Sequence, residues 1–192
     1  INGYDKISPT LPAKAQTPHI TLEEKVIKKV NEIMLSAGLN EIQTTSLIGK
    51  PLLDKFKMTY DEENAVKVLN AASEDSSMLR QTLAASVLNC MKYNFDNGQK
   101  NFWAYEIGKT YIKTAPADEK NTGVKETRVL EGVLTGEVQN SKWQIKSTPD
   151  FYTVKGILEN LFEELEVSRR IKLVPIEKTE LFKTHNALHP YR

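Results

Sequence analysis

Residues 77–112 read SMLRQTLAASVLNCMKYNFDNGQKNFWAYEIGKTYI, and this stretch decides the fold. Leu79, Leu83, Val87, Met91 and Phe95 recur at helical spacing, which predicts a helix over 77–95. The polar run Glu74-Asp75-Ser76-Ser77 suits its start. Asp96-Asn97-Gly98 stops it, because Asn and Gly accept left-handed dihedrals. An aromatic strand is predicted next, over Asn101–Lys113, and another over Arg128–Gly136. The intervening segment TAPADEKNTGVKET (114–127) is polar, so the two strands most simply form a long-looped antiparallel hairpin.

Upstream, Thr21-Leu22-Glu23-Glu24 is a capping box: the Thr hydroxyl takes an amide and Glu24 reaches back. Leu22, Val26, Val30, Ile33 and Ala37 then mark one face of a helix over 22–37, with Ile27 and Met34 widening the stripe. Gly38 follows as its stop. The β-rich run Glu41–Ile48 (EIQTTSLI) predicts a strand, Pro51–Phe56 a short helix, and Val66–Leu69 a short strand. Before all of these, residues 1–20 carry Pro9, Pro12 and Pro18 with little periodicity and predict an extended lead-in. Downstream, Trp143 lies in a poorly patterned stretch. Asp150 can cap a helix over 151–166 with Phe151, Val154, Leu158, Leu161, Phe162 and Leu165 on one side. Ile171–Ile176 is the last strand candidate.

Helices and strands are mixed and the best strand pair is antiparallel. The fold class expected is α+β, an antiparallel sheet covered by long helices. A chain of 192 residues with 40% apolar residues can bury a core without disulfides or metals. With 27% charged residues but a net charge of +1, it offers no global attraction to nucleic acid or membrane. Cys90 is its one cysteine, which excludes an intrachain disulfide and fits a reducing compartment. On an apolar helix it reads as a core thiol. No apolar run is long enough to span a membrane, and no signal peptide is visible.

Catalytic patterns are scarce. His185 and His189 have H-x3-H spacing, but no further ligands lie nearby and Pro190 disfavours a helix there, so no metal site is expected. His19 has no partner pattern. Glu159, Glu163, Glu164 and Glu166 read as the solvated face of the last helix. G-x-x-x-x-G-K-[ST], G-x-G-x-x-G and G-x-S-x-G are all absent. Arg169, Arg170 and Lys172 form a small basic cluster, a candidate RNA contact. Phe102, Trp103, Tyr105 and Tyr111 could stack on bases. Packing in a core or subunit interface is the plainer reading of aromatics between long apolar helices.

Several short motifs, in one order along the chain, give it a family likeness. They are Gly3-Tyr4-Asp5-Lys6-Ile7 with Leu11-Pro12; Gly38-Leu39-Asn40-Glu41-Ile42 with Thr45-Ser46-Leu47; and Asn70, Leu79-Arg80, Leu83 and Asn94. Glu106-Ile107-Gly108-Lys109, Asp150-Phe151-Tyr152 with Lys155-Gly156, and Leu188-His189-Pro190 with Arg192 complete the set. In this order the chain resembles the family of bacterial phenylalanyl-tRNA synthetase beta subunits. It departs from the family pattern at Ala71, Ala85-Ser86, Thr153 and Tyr191, where Pro, Pro-Gly, Asp and Gly are usual.

The resemblance implies a class II synthetase-like core over 21–192, truncated at its C-terminus, with 1–20 leading in from a preceding domain. It implies an alpha-subunit partner that carries catalysis, an (αβ)2 assembly, tRNA(Phe) bound by the whole complex, and a cytoplasmic location. ATP and Mg are implied for that parent complex and no cofactor for this piece. Residues 22–48 would correspond to motif 1, an interface builder, and the strand around 102–107 to motif 2. An active motif 2 carries an Arg two residues before its Glu. Here that position is Ala104, which has no donor for an α-phosphate. The motif 3 Arg would lie beyond Arg192 or be absent. The resemblance thus implies a non-catalytic domain that supports ATP-dependent charging of tRNA(Phe) by the alpha subunit. Its interface residues are expected among Leu22, Val26, Val30, Ile33, Ile42, Thr44, Phe102, Trp103 and Tyr105. Two alternatives stay open. One is an active class II ligase that draws its arginines from Arg80, Arg128, Arg169 or Arg170. The other is a free-standing RNA-binding module.

Overall fold

A computed structural model describes residues 3–10, 19–118, 121–140 and 145–174. Trp143, Leu11-Pro12, the end of the 171–176 strand candidate, His185, His189 and the Leu188–Arg192 motif lie outside the described residues.

Helix α1 (Leu22–Ser36) starts at the capping box: Thr21 Oγ1 accepts from the Glu24 amide at 3.2 Å, and Glu24 Oε2 accepts from the Thr21 amide at 2.7 Å. It stops in a Schellman arrangement, with the Leu39 amide on Met34 O, the Gly38 amide on Leu35 O, and Gly38 at φ +88°. That turn aims the chain into strand β1 (Asn40–Glu41).

The predicted strand over 41–48 breaks into β1 and β2 (Leu47–Ile48), which join different sheets. Side chains between them compete with a strand ladder: Thr45 Oγ1 accepts from the Leu47 amide, and the Thr44 hydroxyl turns inward. Helix α2 (Lys50–Lys55) follows. The predicted strand at 66–69 reduces to one bridge, Lys67 to Met78, beside β3 (Met78–Leu79), which pairs with β2. Helix α3 (Ala84–Asp96) begins later than the predicted 77. Tertiary backbone bonds hold the preceding segment extended: the Arg80 amide donates to Ser46 O, and the Tyr111 amide donates to Arg80 O. Helical spacing at Leu79 thus lost to sheet-edge hydrogen bonding.

Strands β4 (Phe102–Lys113) and β5 (Val124–Thr135) form the antiparallel hairpin, longer than predicted because β5 starts four residues before Arg128. Gly123 closes its loop at φ +67°, where a Cβ would lie 2.2 Å from Ala115 O. The sheet is mixed, in the order β1-β4-β5, and β1 runs parallel to β4. The all-antiparallel expectation is corrected on that edge, where the chain enters from the end of α1 and extends along β4 through the Ile42 amide on Tyr105 O. A small hairpin, β6 (Val138–Asn140) with β7 (Ile145–Ser147), leads to helix α4 (Phe151–Glu164), which Asp150 caps through the Thr153 amide. Residues 171–174 form no strand.

Two apolar clusters result. Val30, Ile33 and Met34 of α1, Leu39, Tyr105 of β4 and Leu161 of α4 pack on one face of the sheet. Ile48, Leu53, Met58, Met78 and Ala85 pack around α2, β3 and α3. The sheet therefore lies between α1 and α4 on one side and α3 on the other.

Candidate functional site

Side chains alternate along β4, so Trp103, Tyr105 and Ile107 enter the α1/α4 core while Ala104, Glu106 and Gly108 turn to the opposite face. Glu106 is a charge in the middle of an apolar strand, and such a residue must find partners or lose its charge. It finds two. Arg80 Nη1 donates to Glu106 Oε1 at 2.8 Å, and the Thr44 hydroxyl donates to Oε2 at 2.6 Å. Thr44 Oγ1 also accepts from Arg80 Nη1 at 2.8 Å, which closes a three-membered ring of hydrogen bonds. Arg80 Nε donates to Lys109 O at 3.0 Å. The Arg80 and Glu106 side chains are each 3% exposed.

Gly108 is required by this packing. A Cβ there would lie 2.4 Å from Arg80 Nη2 and 2.8 Å from Leu83 Cδ2. The network thus joins the segment after β1, the segment before α3, and β4. It fixes α3 over the sheet face that Glu106 and Ala104 share.

Ala104 is fully buried, opposite Val133 on β5 and Asn40 on β1. Close by, Met58, Val87, Leu88, Val133 and Phe151 line a mostly apolar cavity of about 720 Å³. The four alternative arginines are not gathered around Ala104. Arg80 is committed to Glu106. Arg128 pairs with Glu23 at 2.8 Å, at the start of α1. Arg169 and Arg170 sit exposed on a short 3-10 turn after α4, with Lys172 exposed beyond it. The position two before Glu106 therefore offers a buried methyl group, and the guanidinium on the same face is spent on Glu106 and Thr44, which does not fit a nucleotide phosphate.

The expected interface residues divide by burial. Val30, Ile33 and Tyr105 are spent on the chain's own core, and Tyr105 further donates its hydroxyl to Asn31 Oδ1. Burial raises the Tyr105 pKa, with a smaller contribution from the Glu41 charge. Ile42, Thr44, Phe102 and Trp103 are half-buried, and Leu22 and Val26 are exposed, Leu22 at 78%. Of the acidic residues on α4 and just beyond it, Glu159 pairs with Lys155 and Glu164 with Lys29, while Glu163 and Glu166 are exposed, as a solvated face would be. Among the described residues no cluster of three or more ligating side chains could hold a metal, and no helix is long and apolar enough to cross a membrane.

The Arg80–Thr44–Glu106 ring did not emerge from periodicity. The one available signal was charge embedded in apolar sequence at two places, Leu79-Arg80 and Tyr105-Glu106-Ile107. Two such residues of opposite sign invite a pair.

A family model described as the phenylalanyl tRNA synthetase beta chain CLM domain matches residues 7–192. The phenylalanine–tRNA ligase beta subunit of a Bacillus cereus strain is 32% identical over 192 residues, covering 99% of this chain and 22% of that protein. That of Streptococcus thermophilus is 34% identical over 170 residues, covering 88% and 21%. The chain thus spans about a fifth of the length of the curated relatives it matches. Among solved structures, pyrrolysyl-tRNA synthetase from Desulfitobacterium hafniense superposes with a TM-score of 0.58 at 16% identity, covering 81% of this chain and 51% of that one. A second structure, of PylSc from the same organism, gives 0.53 at 16% identity over 76% and 46%. At that identity the likeness speaks for the fold alone.

Proposed function

The chain belongs to the family of phenylalanyl tRNA synthetase beta chain CLM domains, and from that premise we propose that it is a non-catalytic scaffold within a phenylalanine–tRNA ligase. It supports charging of tRNA(Phe) by presenting apolar surface to an alpha subunit, which binds ATP and Mg and carries the chemistry. The finer architecture fits an incomplete class II synthetase sheet, and the assembly proposed is a cytoplasmic (αβ)2 complex.

One observation carries the reading. The position from which a class II enzyme would grip its nucleotide is here a buried methyl group. Ala104 is 0% exposed, Arg80 is locked to Glu106 and Thr44, and α3 lies over both. An arginine that clamps phosphate needs free donors in a fixed fork. The Nε and Nη1 donors of Arg80 are already spent. Of the residues expected at the interface, the exposed Leu22 and Val26 in the N-terminal half of α1 and the half-buried Ile42 and Phe102 remain open to a partner.

Sedimentation of the chain mixed with the alpha subunit of a relative such as that of Bacillus cereus tests this. A complex at micromolar concentration is expected, with no ATP–pyrophosphate exchange by the chain alone. Two separate species at that concentration, or exchange above blank, would overturn the scaffold reading.

A further inference from the structure

The link between α3 and β4 is the short run 97–101, and it opens with Asn97-Gly98. This is the one Asn-Gly pair among the described residues; Asn2-Gly3, the other in the sequence, lies partly outside them. An asparagine before glycine is the pairing in which a backbone amide most readily attacks the neighbouring carboxamide, because glycine puts no side chain beside the attacking nitrogen. Both residues are exposed, and a Cβ at Gly98 would meet nothing within 4 Å, so neither water nor the ring that must form is crowded out.

The fold holds this bond in check at the end of α3. Asn97 Nδ2 donates to Tyr93 O at 2.7 Å, so the carboxamide is turned back along the helix. The Gly98 amide, which would be the nucleophile, donates to Phe95 O at 3.0 Å with Gly98 at φ +89°. The Gln99 amide closes the turn on Asn94 O at 2.9 Å. Ring closure needs the first two of these bonds broken together. A last helical turn on the surface is where a chain opens most easily.

We propose that Asn97 is a site of spontaneous covalent modification, gated by opening of the last turn of α3. In the open turn the Gly98 nitrogen gives its proton to a base and attacks Asn97 Cγ. The N–Cγ bond forms, the Cγ–Nδ2 bond breaks, and ammonia leaves with a proton taken from water. A five-membered cyclic imide remains. Water opens it at either carbonyl, giving aspartate or isoaspartate at position 97, with no change of oxidation state. Neither product closes the helix as before. A carboxylate has no donor for Tyr93 O, and it adds negative charge beside Asp96 at the negative end of the helix dipole. Isoaspartate also inserts a methylene into the main chain, which carries the Gly98 and Gln99 amides out of register with Phe95 O and Asn94 O. Opening permits the reaction, and the product favours opening.

The test holds the whole chain in mildly alkaline buffer, folded or in guanidinium chloride, and samples it over days against a zero-time baseline. Trypsin releases residues 93–100, YNFDNGQK, whose mass and isoaspartate content are read by mass spectrometry and enzymatic isoaspartyl methylation. Conversion at Asn97 is expected in the folded chain, at least about tenfold slower than in guanidinium chloride, since two ordinary hydrogen bonds must break first. Asn94, followed by Phe95 in the same peptide, should keep its amide. Asn97→Gln, whose longer side chain would have to close a six-membered ring, should keep its amide too. Asn97→Asp should lower the guanidinium midpoint of unfolding relative to the parent chain. Equal rates in the folded and unfolded chain overturn the proposal. So does a folded chain that shows no conversion at Asn97, or an Asn97→Asp chain that unfolds at the parent's midpoint.

Discussion

Arg80 Nη1 lies 2.8 Å from Glu106 Oε1, and the two side chains are hidden from water to the same degree, 3% exposed each. One comes from the extended run before α3 and the other from the centre of β4. Removing one partner leaves an uncompensated buried charge, whereas removing both leaves only a volume to fill. Arg80→Met is therefore expected to cost about 3–5 kcal/mol. The double variant R80M/E106L should recover most of that loss, because the stranded carboxylate goes with its partner. Urea unfolding of the two single variants and the double variant, analysed as a cycle, checks this. Additive losses would show that the pair is not the coupling element.

Restoring the residue type that a class II nucleotide site uses should not restore chemistry. Ala104→Arg places a guanidinium at a fully buried position of β4, between Val133 and Asn40 in the sheet. The expected result is a loss of about 3–5 kcal/mol of stability, as for a buried charge without a partner. No ATP–pyrophosphate exchange should appear. Exchange in this variant would mean that a single side chain separates the domain from catalysis.

The α1 stripe should split under mutation. Leu22→Ser and Val26→Ser alter exposed positions and should leave the unfolding free energy within about 0.5 kcal/mol, yet weaken association with an alpha subunit in sedimentation. Ile33→Ala, at 4% exposure, should cost about 2–5 kcal/mol of stability through the cavity it opens beside Tyr105 and Leu161. If Leu22 and Val26 variants bind the alpha subunit normally, the partner docks elsewhere.

Two helix starts set an acid limit. The Glu24 carboxylate is held below its usual pKa by the Thr21 amide and then the Thr21 hydroxyl, and that of Asp150 by the Thr153 amide and then its hydroxyl. A depressed folded-state pKa contributes stability that is fully present above the unfolded value and is lost as pH falls through the folded one. Both contributions should therefore fade below about pH 4, where unfolded carboxylates titrate. Stability measured from pH 7 to pH 2 should fall on the acid side. Glu24→Gln should flatten part of that fall, since an amide caps the helix without titrating. An acid limb unchanged in this variant would remove the Glu24 share.

Local chemistry made much of this legible in the sequence. The capping box at Thr21, the cap at Asp150 and the stop at Gly38 rest on contacts within a few residues and appear where their patterns predict, and the aromatic hairpin appears with its second strand begun four residues early. What escaped depended on distant chain. Helical spacing at Leu79 gave no sign that Ser46 and Tyr111 would claim the Arg80 backbone. The run EIQTTSLI gave no sign that Thr44 would face a carboxylate 62 residues away. The position of Ala104 could be read from the sequence, but its burial under α3 could not, because that depends on a helix packing across the sheet.

Glu106 also has a consequence before folding is complete. The hairpin pairs near neighbours, whereas Thr44 lies 62 residues from Glu106, so closing the ring carries the larger loop-closure cost. Until then FWAYEIG is an aromatic, β-prone segment of the kind that stacks into fibrils, broken only by one negative charge. Neutralising Glu106 removes the one charge that interrupts this segment, which raises its tendency to aggregate wherever it is exposed.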